Sequence, residues 1–309
     1  MGGERLLGRE SCARGARPCN VHGGRGFAYP ALMNQRTGAV LCPNCRKLVG
    51  VNEPVCPFCG FKAPGLFGFG PALQRLARQL DLPKLVIGAC VALYVVSLLL
   101  DPGAAFRMQG MFDFLSPSSG ALAVLGMTGR FATDHGRWWT LLTSVFLHGS
   151  LLHLLFNMAV TSRFLPEVVE LYGGARAWTI YVVAGVVGFV LSNLATGAPT
   201  IGASGSVFGL FAALIVFGRR THQHVMTQQL WTMAAVMFLA GFISFGGMNV
   251  NVWAHAGGFA GGFVAAEAMK FSNERPGLGA LLVSWGLLVA VIGAFATQML
   301  FIARVFAGG

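Results

Sequence analysis

Five polar residues stand out by their surroundings. His148, His153, Asn157, Ser204 and His255 all lie in stretches free of Asp, Glu, Lys and Arg. Polar groups in apolar surroundings are costly, and ionisable ones there are functional candidates. A hydroxyl beside an imidazole is a minimal set for acyl transfer, because the ring takes the proton as the oxygen attacks. Ser204 sits in Gly202-Ala-Ser-Gly205, which reads as a helix start whose free N–H groups and positive dipole end favour an anion. His255 is followed by Gly258 and Gly262, a spacing that lets a second helix approach closely. If that helix is the one Ser204 begins, His255 reaches the hydroxyl as its general base. His153 and Asn157 are four apart and share a helical face. They would supply oxyanion donors alongside the backbone at Ser204. The nearest acid on the His255 helix is Glu267, twelve residues or about 18 Å further along, so a Ser–His dyad is implied. Phe208, one turn after Ser204, is placed either to stack on the imidazole or to fill the core. The plainer alternative is a set of interhelical hydrogen bonds that hold a bundle together; that explains one buried histidine better than it explains this constellation.

A second cluster lies near the N-terminus. Cys42-Pro-Asn-Cys45 and Cys56-Pro-Phe-Cys59 are two CxxC knuckles separated by ten residues. Such a pair completes a tetrahedral Cys₄ shell for a structural zinc, with no open catalytic position. Disulfides fit poorly with a reducing cytoplasm, and a redox motif needs one CxxC. Cys12 and Cys19 fall outside the pattern, and Cys90 reads as a small core residue.

The elements that must position these residues follow from composition. The 309-residue chain is 55% hydrophobic and 11% charged, against roughly 25% charged for an ordinary globular protein. That composition excludes a pair of soluble domains and points to an all-α polytopic membrane protein. The formal charge of +11 could suggest nucleic acid, but +8 of it lies in residues 1–84, so no nucleic-acid partner is expected. Charge-free intervals run over 85–100, 138–162, 177–218, 221–266 and 276–303. A span needs about 20 residues. The third and fourth intervals must therefore fold back, at Gly197–Gly202 and Ser244–Asn249, giving seven helices. Pro83 before the first helix and Asp101-Pro102-Gly103 after it mark its ends. An outer loop of about 40 residues should separate helices one and two. With a cytoplasmic N-terminus, 18 Lys/Arg fall inside and 4 outside, which predicts that orientation in the cell membrane. The basic N-terminus has no adjacent apolar core, so no signal peptide is expected before the first span.

The motifs resemble those of the rhomboid intramembrane serine proteases. HxxxxHxxxN (His148, His153, Asn157) stands in the second helix, GxSG with a following Phe-Gly (Gly202 to Gly209) in the fourth, and H-A-G-G with GxxxG in the sixth. Gly136-Arg137-Trp138-Trp139 is similar to the family's aromatic outer loop, with the Trp-Arg order reversed. The resemblance covers about residues 85–305. It implies a six-helix core plus a seventh helix, a bilayer setting, single-span transmembrane protein substrates, and no cofactor for catalysis. In that reading Ser204 and His255 are catalytic, His153 and Asn157 serve the oxyanion, and His148, Gly202, Gly205, Phe208, Gly258 and Gly262 support them. The expected domains are a disordered or mis-started segment over 1–32 ahead of Met33, a zinc-ribbon-like module over 33–65, and a segment over 66–84. In that last segment Leu73, Leu76 and Leu80 oppose Arg75 and Arg78, as an interfacial helix or a plain linker. A cytoplasmic partner for the module stays open. Two rivals are a catalytically inactive rhomboid-like helix-binding protein, which an intact Ser204/His255 pair disfavours, and a transporter, which would show paired charges or inverted repeats.

Overall fold

The computed structural model describes residues 38–42, 44–65, 81–106, 114–242, 250–269, 271 and 278–307. The expectations for 1–32, for the Leu73–Leu80 segment and for the turn at Ser244–Asn249 lie outside these residues.

Strands β1 (Ala39–Leu41) and β2 (Leu48–Gly50) pair antiparallel with Val40 opposite Val49. Strand alternation turns both valines inward, where they join Val51, Cys42 and Cys56 in a very small core. Seven helices of 16 residues or more follow among the described residues: α1 (Leu82–Leu100), α2 (Leu151–Tyr172), α3 (Gly174–Ala195), α4 (Ser204–Arg220), α5 (His224–Ala240), α6 (Val252–Glu267) and α7 (Leu278–Ala307). Helix α1 starts before Pro83, which occupies its first turn, where the missing N–H costs nothing. Asp81 caps it, accepting from Lys84 N at 3.2 Å.

The second span departs from expectation. The charge-free stretch 138–162 is not one helix: the chain is helical through Thr140–Phe146, breaks, and resumes at Leu151 after a bend of 88°. His148 therefore lies in the break and not on α2. Ser150 caps the new helix by accepting from His153 N at 3.2 Å. Helix α2 then runs on through Arg163, Glu167 and Glu170.

By length and composition α1, α3 and α7 can each cross a bilayer, and the bent pair before and including α2 makes a fourth candidate. Helices α4, α5 and α6 have 17, 17 and 16 residues, short of the usual span. For α4 the reason is its place. It is enclosed by α2, α3, α5 and α6, and nearly all its residues from Gly205 to Gly218 are buried. Its flanks meet protein and not lipid along nearly the whole length, so the bilayer does not bear on them directly. Among its described residues the expected outer loop holds short helices at Pro102–Ala105, Ser119–Leu125 and Arg130–Thr133.

Between helices in lipid, burying apolar surface gains little, and close van der Waals packing must hold them together. Glycine supplies that closeness here. A Cβ on Gly258 would lie 2.2 Å from Gly205 O, and one on Gly262 would lie 2.3 Å from Gly209 Cα. On the other face of α6, a Cβ on Gly188 of α3 would meet Ala254 O at 2.5 Å. Helix α6 is thus wedged between α3 and α4. At the far ends of α4 and α6, Arg219 and Arg220 pair with Glu267.

Candidate active site and thiolate cluster

Ser204 and His255 begin or nearly begin their helices, so the α4–α6 contact brings them together at one end of the bundle. His255 Nε2 lies 2.9 Å from Ser204 Oγ. The imidazole is 7% exposed at the residue level and stacks on Phe208, with ring centroids 4.4 Å apart and planes at 24°. Phe208 does both: it stacks on the imidazole and sits in the hydrophobic core, edge-on to Phe211 and Phe238. His255 Nδ1 has no hydrogen-bond partner among the described residues. Among the described residues the ring's neighbour on its face is Phe208, and no acid is bonded to Nδ1. Glu267 is engaged at the far end of the helix.

Ser204 opens α4 without any side-chain cap, so the N–H groups of the first turn are not taken by a neighbouring side chain. Gly202, with φ of +119°, places this turn against His153: a Cβ there would lie 2.8 Å from His153 Cε1 and Nε2. Any larger residue would strain the backbone and strike the ring. Asn157 is buried, and its Nδ2 donates to His153 O at 2.9 Å, leaving a second N–H. His148 packs edge-on to His153 with centroids 5.1 Å apart, so it supports that ring from the break.

One residue with no signal in the motif spacing also shapes the site. Asn251 caps α6 through Ala254 N at 3.3 Å, and its Nδ2 donates to Ser192 Oγ at 2.6 Å and Thr200 Oγ1 at 3.0 Å. It ties the histidine's helix to the loop that leads into Ser204. A capping Asn before an apolar run is the signal that points to it. Arg137 donates to Phe131 O at 3.3 Å and lies over the rings of Phe131 and Phe301.

The four cysteines converge as their spacing predicts, with all ligand sulfurs within 4.8 Å of one another. Cys42 Sγ and Cys59 Sγ are 3.7 Å apart, and Cys45 Sγ and Cys56 Sγ 3.6 Å. A tetrahedral ion with metal–sulfur bonds of about 2.3 Å sets its sulfurs about 3.8 Å apart. The donor set therefore fits such a metal. The knuckles match in backbone: Arg46 N donates to Cys42 O and Gly60 N to Cys56 O, both at 2.9 Å, with positive φ at Arg46 and Gly60. A hydrogen bond from the Asn44 side chain holds the Cys59 thiol down at about 6. Against the Lys47 backbone N–H, which favours its thiolate, desolvation and the neighbouring thiols push Cys45 up to about 12. Four thiolates in one shell need a cation between them.

Residues 135–271 match the Rhomboid domain, a stretch that holds the break, α2 through α6 and all five polar site residues. The chain is 30% identical to the rhomboid protease GluP of Bacillus subtilis (strain 168) over 181 residues, 58% of this chain and 35% of that protein. It is 30% identical to the putative rhomboid protease YdcA of the same organism over 146 residues, 46% of this chain and 72% of YdcA. It is 32% identical to RHOMBOID-like protein 7 of Arabidopsis thaliana over 207 residues, 60% of this chain and 65% of that protein. With α1 and α7 packed against that matched stretch, the chain is a multi-pass membrane protein that belongs to the rhomboid family.

Proposed function

We propose that the protein is an intramembrane serine endopeptidase that cleaves transmembrane proteins through Ser204 and His255. The observation that carries this reading is the 2.9 Å approach of His255 Nε2 to Ser204 Oγ at an uncapped helix start. Ser204 Oγ attacks the scissile carbonyl carbon while its proton passes to His255 Nε2. The oxyanion so formed is met by backbone N–H groups of the first turn of α4, by Asn157 Nδ2 and by His153. Collapse breaks the C–N bond, His255 returns the proton to the leaving amine, and an ester remains on Ser204. Water then attacks the ester, giving its proton to His255; the new C-terminus leaves and Ser204 regains its proton. The lopsided Lys/Arg distribution supports an N-terminus in the cytoplasm of a cell-membrane protein, with the site opening on the opposite face. Labelling by a fluorophosphonate, lost in Ser204→Ala, tests the reading. A folded wild-type protein that never labels would instead be a helix-binding relative without catalysis.

The oxyanion assignment predicts that Asn157→Ala or His153→Ala lowers kcat by roughly 10- to 10³-fold with KM little changed. Steady-state kinetics on a model transmembrane substrate decide it; a rise in KM alone would make these substrate-binding residues.

The metal of the Cys₄ shell is proposed to be zinc, held by Cys42, Cys45, Cys56 and Cys59 to keep the module folded, because its core is too small to suffice. Cys42→Ser or Cys59→Ser is expected to remove one zinc per chain while cleavage persists. Metal analysis beside an activity assay checks this. Proportional loss of zinc and cleavage in a correctly inserted protein would mean that the module controls the protease.

A further inference from the structure

Helix α7 lies beyond the matched family region and carries none of the residues assigned to the chemistry. Yet its Gln298 is fully buried. The amide is used at both ends: Oε1 accepts from Trp139 Nε1 at 2.8 Å, and Nε2 donates to Val124 O at 2.8 Å and Ala123 O at 3.2 Å. Those two carbonyls belong to the last turn of the Ser119–Leu125 helix, where a helix lacks donors of its own. One turn to either side, Phe295 and Phe301 pack on Phe146 and Trp139, with centroids 6.2 and 6.1 Å apart. One face of α7 therefore grips the segment before α2 at Ala123–Val124, Trp139 and Phe146.

The connection continues to the nucleophile. Immediately after the gripped helix, Gly126 O accepts from Thr143 Oγ1 at 2.6 Å and Ser144 Oγ at 3.0 Å. Ser144 O in turn accepts from Gly202 N at 2.9 Å, two residues before Ser204. Thr128 N donates to Ser144 Oγ at 2.7 Å, and Thr128 O accepts from Thr200 N at 2.9 Å. A helix that merely packed would need no amide here, whereas an apolar side chain at 298 would leave the Val124 carbonyl and the Trp139 indole N–H without the partners they have now, Ala123 O keeping only the Gly126 N–H at 3.2 Å.

We infer that Gln298 is a positioning residue: by docking α7 on the segment 119–146 it fixes the Ser144–Gly202 contact that sets Ser204 at the start of α4. The inference rests on Ser204 being the nucleophile. The test compares Gln298→Met with Val291→Ala in the full-length protein, since Val291 is another buried residue of α7 that makes no such hydrogen bonds. Both variants should lower the melting temperature. Only Gln298→Met should slow fluorophosphonate labelling of Ser204 and lower kcat, each by about tenfold, with KM unchanged. Trp139→Phe, which removes the indole donor while keeping a smaller aromatic ring beside Phe301, should slow labelling in the same sense and serves if Gln298→Met fails to insert. Wild-type labelling rates in Gln298→Met, or in Trp139→Phe where it stands in, would overturn the inference; so would equal slowing in Val291→Ala at equal loss of stability. A wild-type protein that does not label would instead sink the nucleophile assignment, and this inference with it.

Discussion

Ser204→Ala and His255→Ala should each reduce cleavage of a transmembrane substrate by roughly 10⁴- to 10⁶-fold, and the double variant should be no worse than either single one. The two groups act as one unit. An alkoxide cannot form near neutral pH without a base, and the base has nothing to activate once the hydroxyl is gone. The geometry makes the expectation sharp, since His255 Nε2 has the Ser204 hydroxyl at 2.9 Å and Nδ1 has no hydrogen-bond partner among the described residues. Neither change disturbs packing much. Alanine at 204 deletes one oxygen, and alanine at 255 leaves the Gly258 and Gly262 contacts in place. Rates measured in detergent or liposomes, with circular dichroism to confirm folding, settle the matter. Additive losses, or a His255→Ala variant that stays active, would mean that another base serves the hydroxyl.

The second large effect belongs to a residue with no chemistry. Gly258→Val should abolish activity and lower stability together. Its Cβ alone would sit 2.2 Å from Gly205 O and 2.6 Å from Gly205 Cα, both backbone atoms that cannot swing aside. Overpacking of this kind costs about 1–3 kcal/mol or more. Relief requires α6 to back away from α4, which carries His255 off Ser204, and a misplacement of about 1 Å alone can cost roughly 10²-fold in rate. Gly286→Val, on α7 where a Cβ would meet nothing within 4 Å, is the matched control. A Gly258→Val protein that cleaves as well as the control would show that the α4–α6 contact does not set the dyad.

Much of this site is legible from residue types alone. Ser204 and His255 declare themselves because charge is missing around them, and Gly258 and Gly262 say which face of α6 a neighbour must meet. The break at Leu147–Ser150 is harder to read, because hydropathy continues unbroken through Phe146, Leu147 and Leu151. Only Gly149-Ser150, with a serine three residues before His153, marks a helix start there. Gly185 and Gly188 on α3 leave no mark either, since a glycine in an apolar run looks the same whether it faces lipid or a neighbouring backbone. Gln298 is a clearer lesson. An uncharged amide in a span rarely draws attention beside histidines, yet its burial demands partners, and those partners lie on the segment whose Ser144 carbonyl meets Gly202 N, two residues before Ser204.

The enclosure of α4 means that two different surroundings judge substitutions along one chain. At Gly205, Ser206, Gly209 and Ala212 every neighbour is protein, so size is the criterion and one added methyl can be too many. At Leu99 on α1 or Val289 on α7, 69% and 66% exposed, lipid is the neighbour; almost any apolar side chain will serve, and only charge is refused. A catalogue of tolerated replacements would therefore divide by helix, limited by volume along the axis of the bundle and by polarity around its rim.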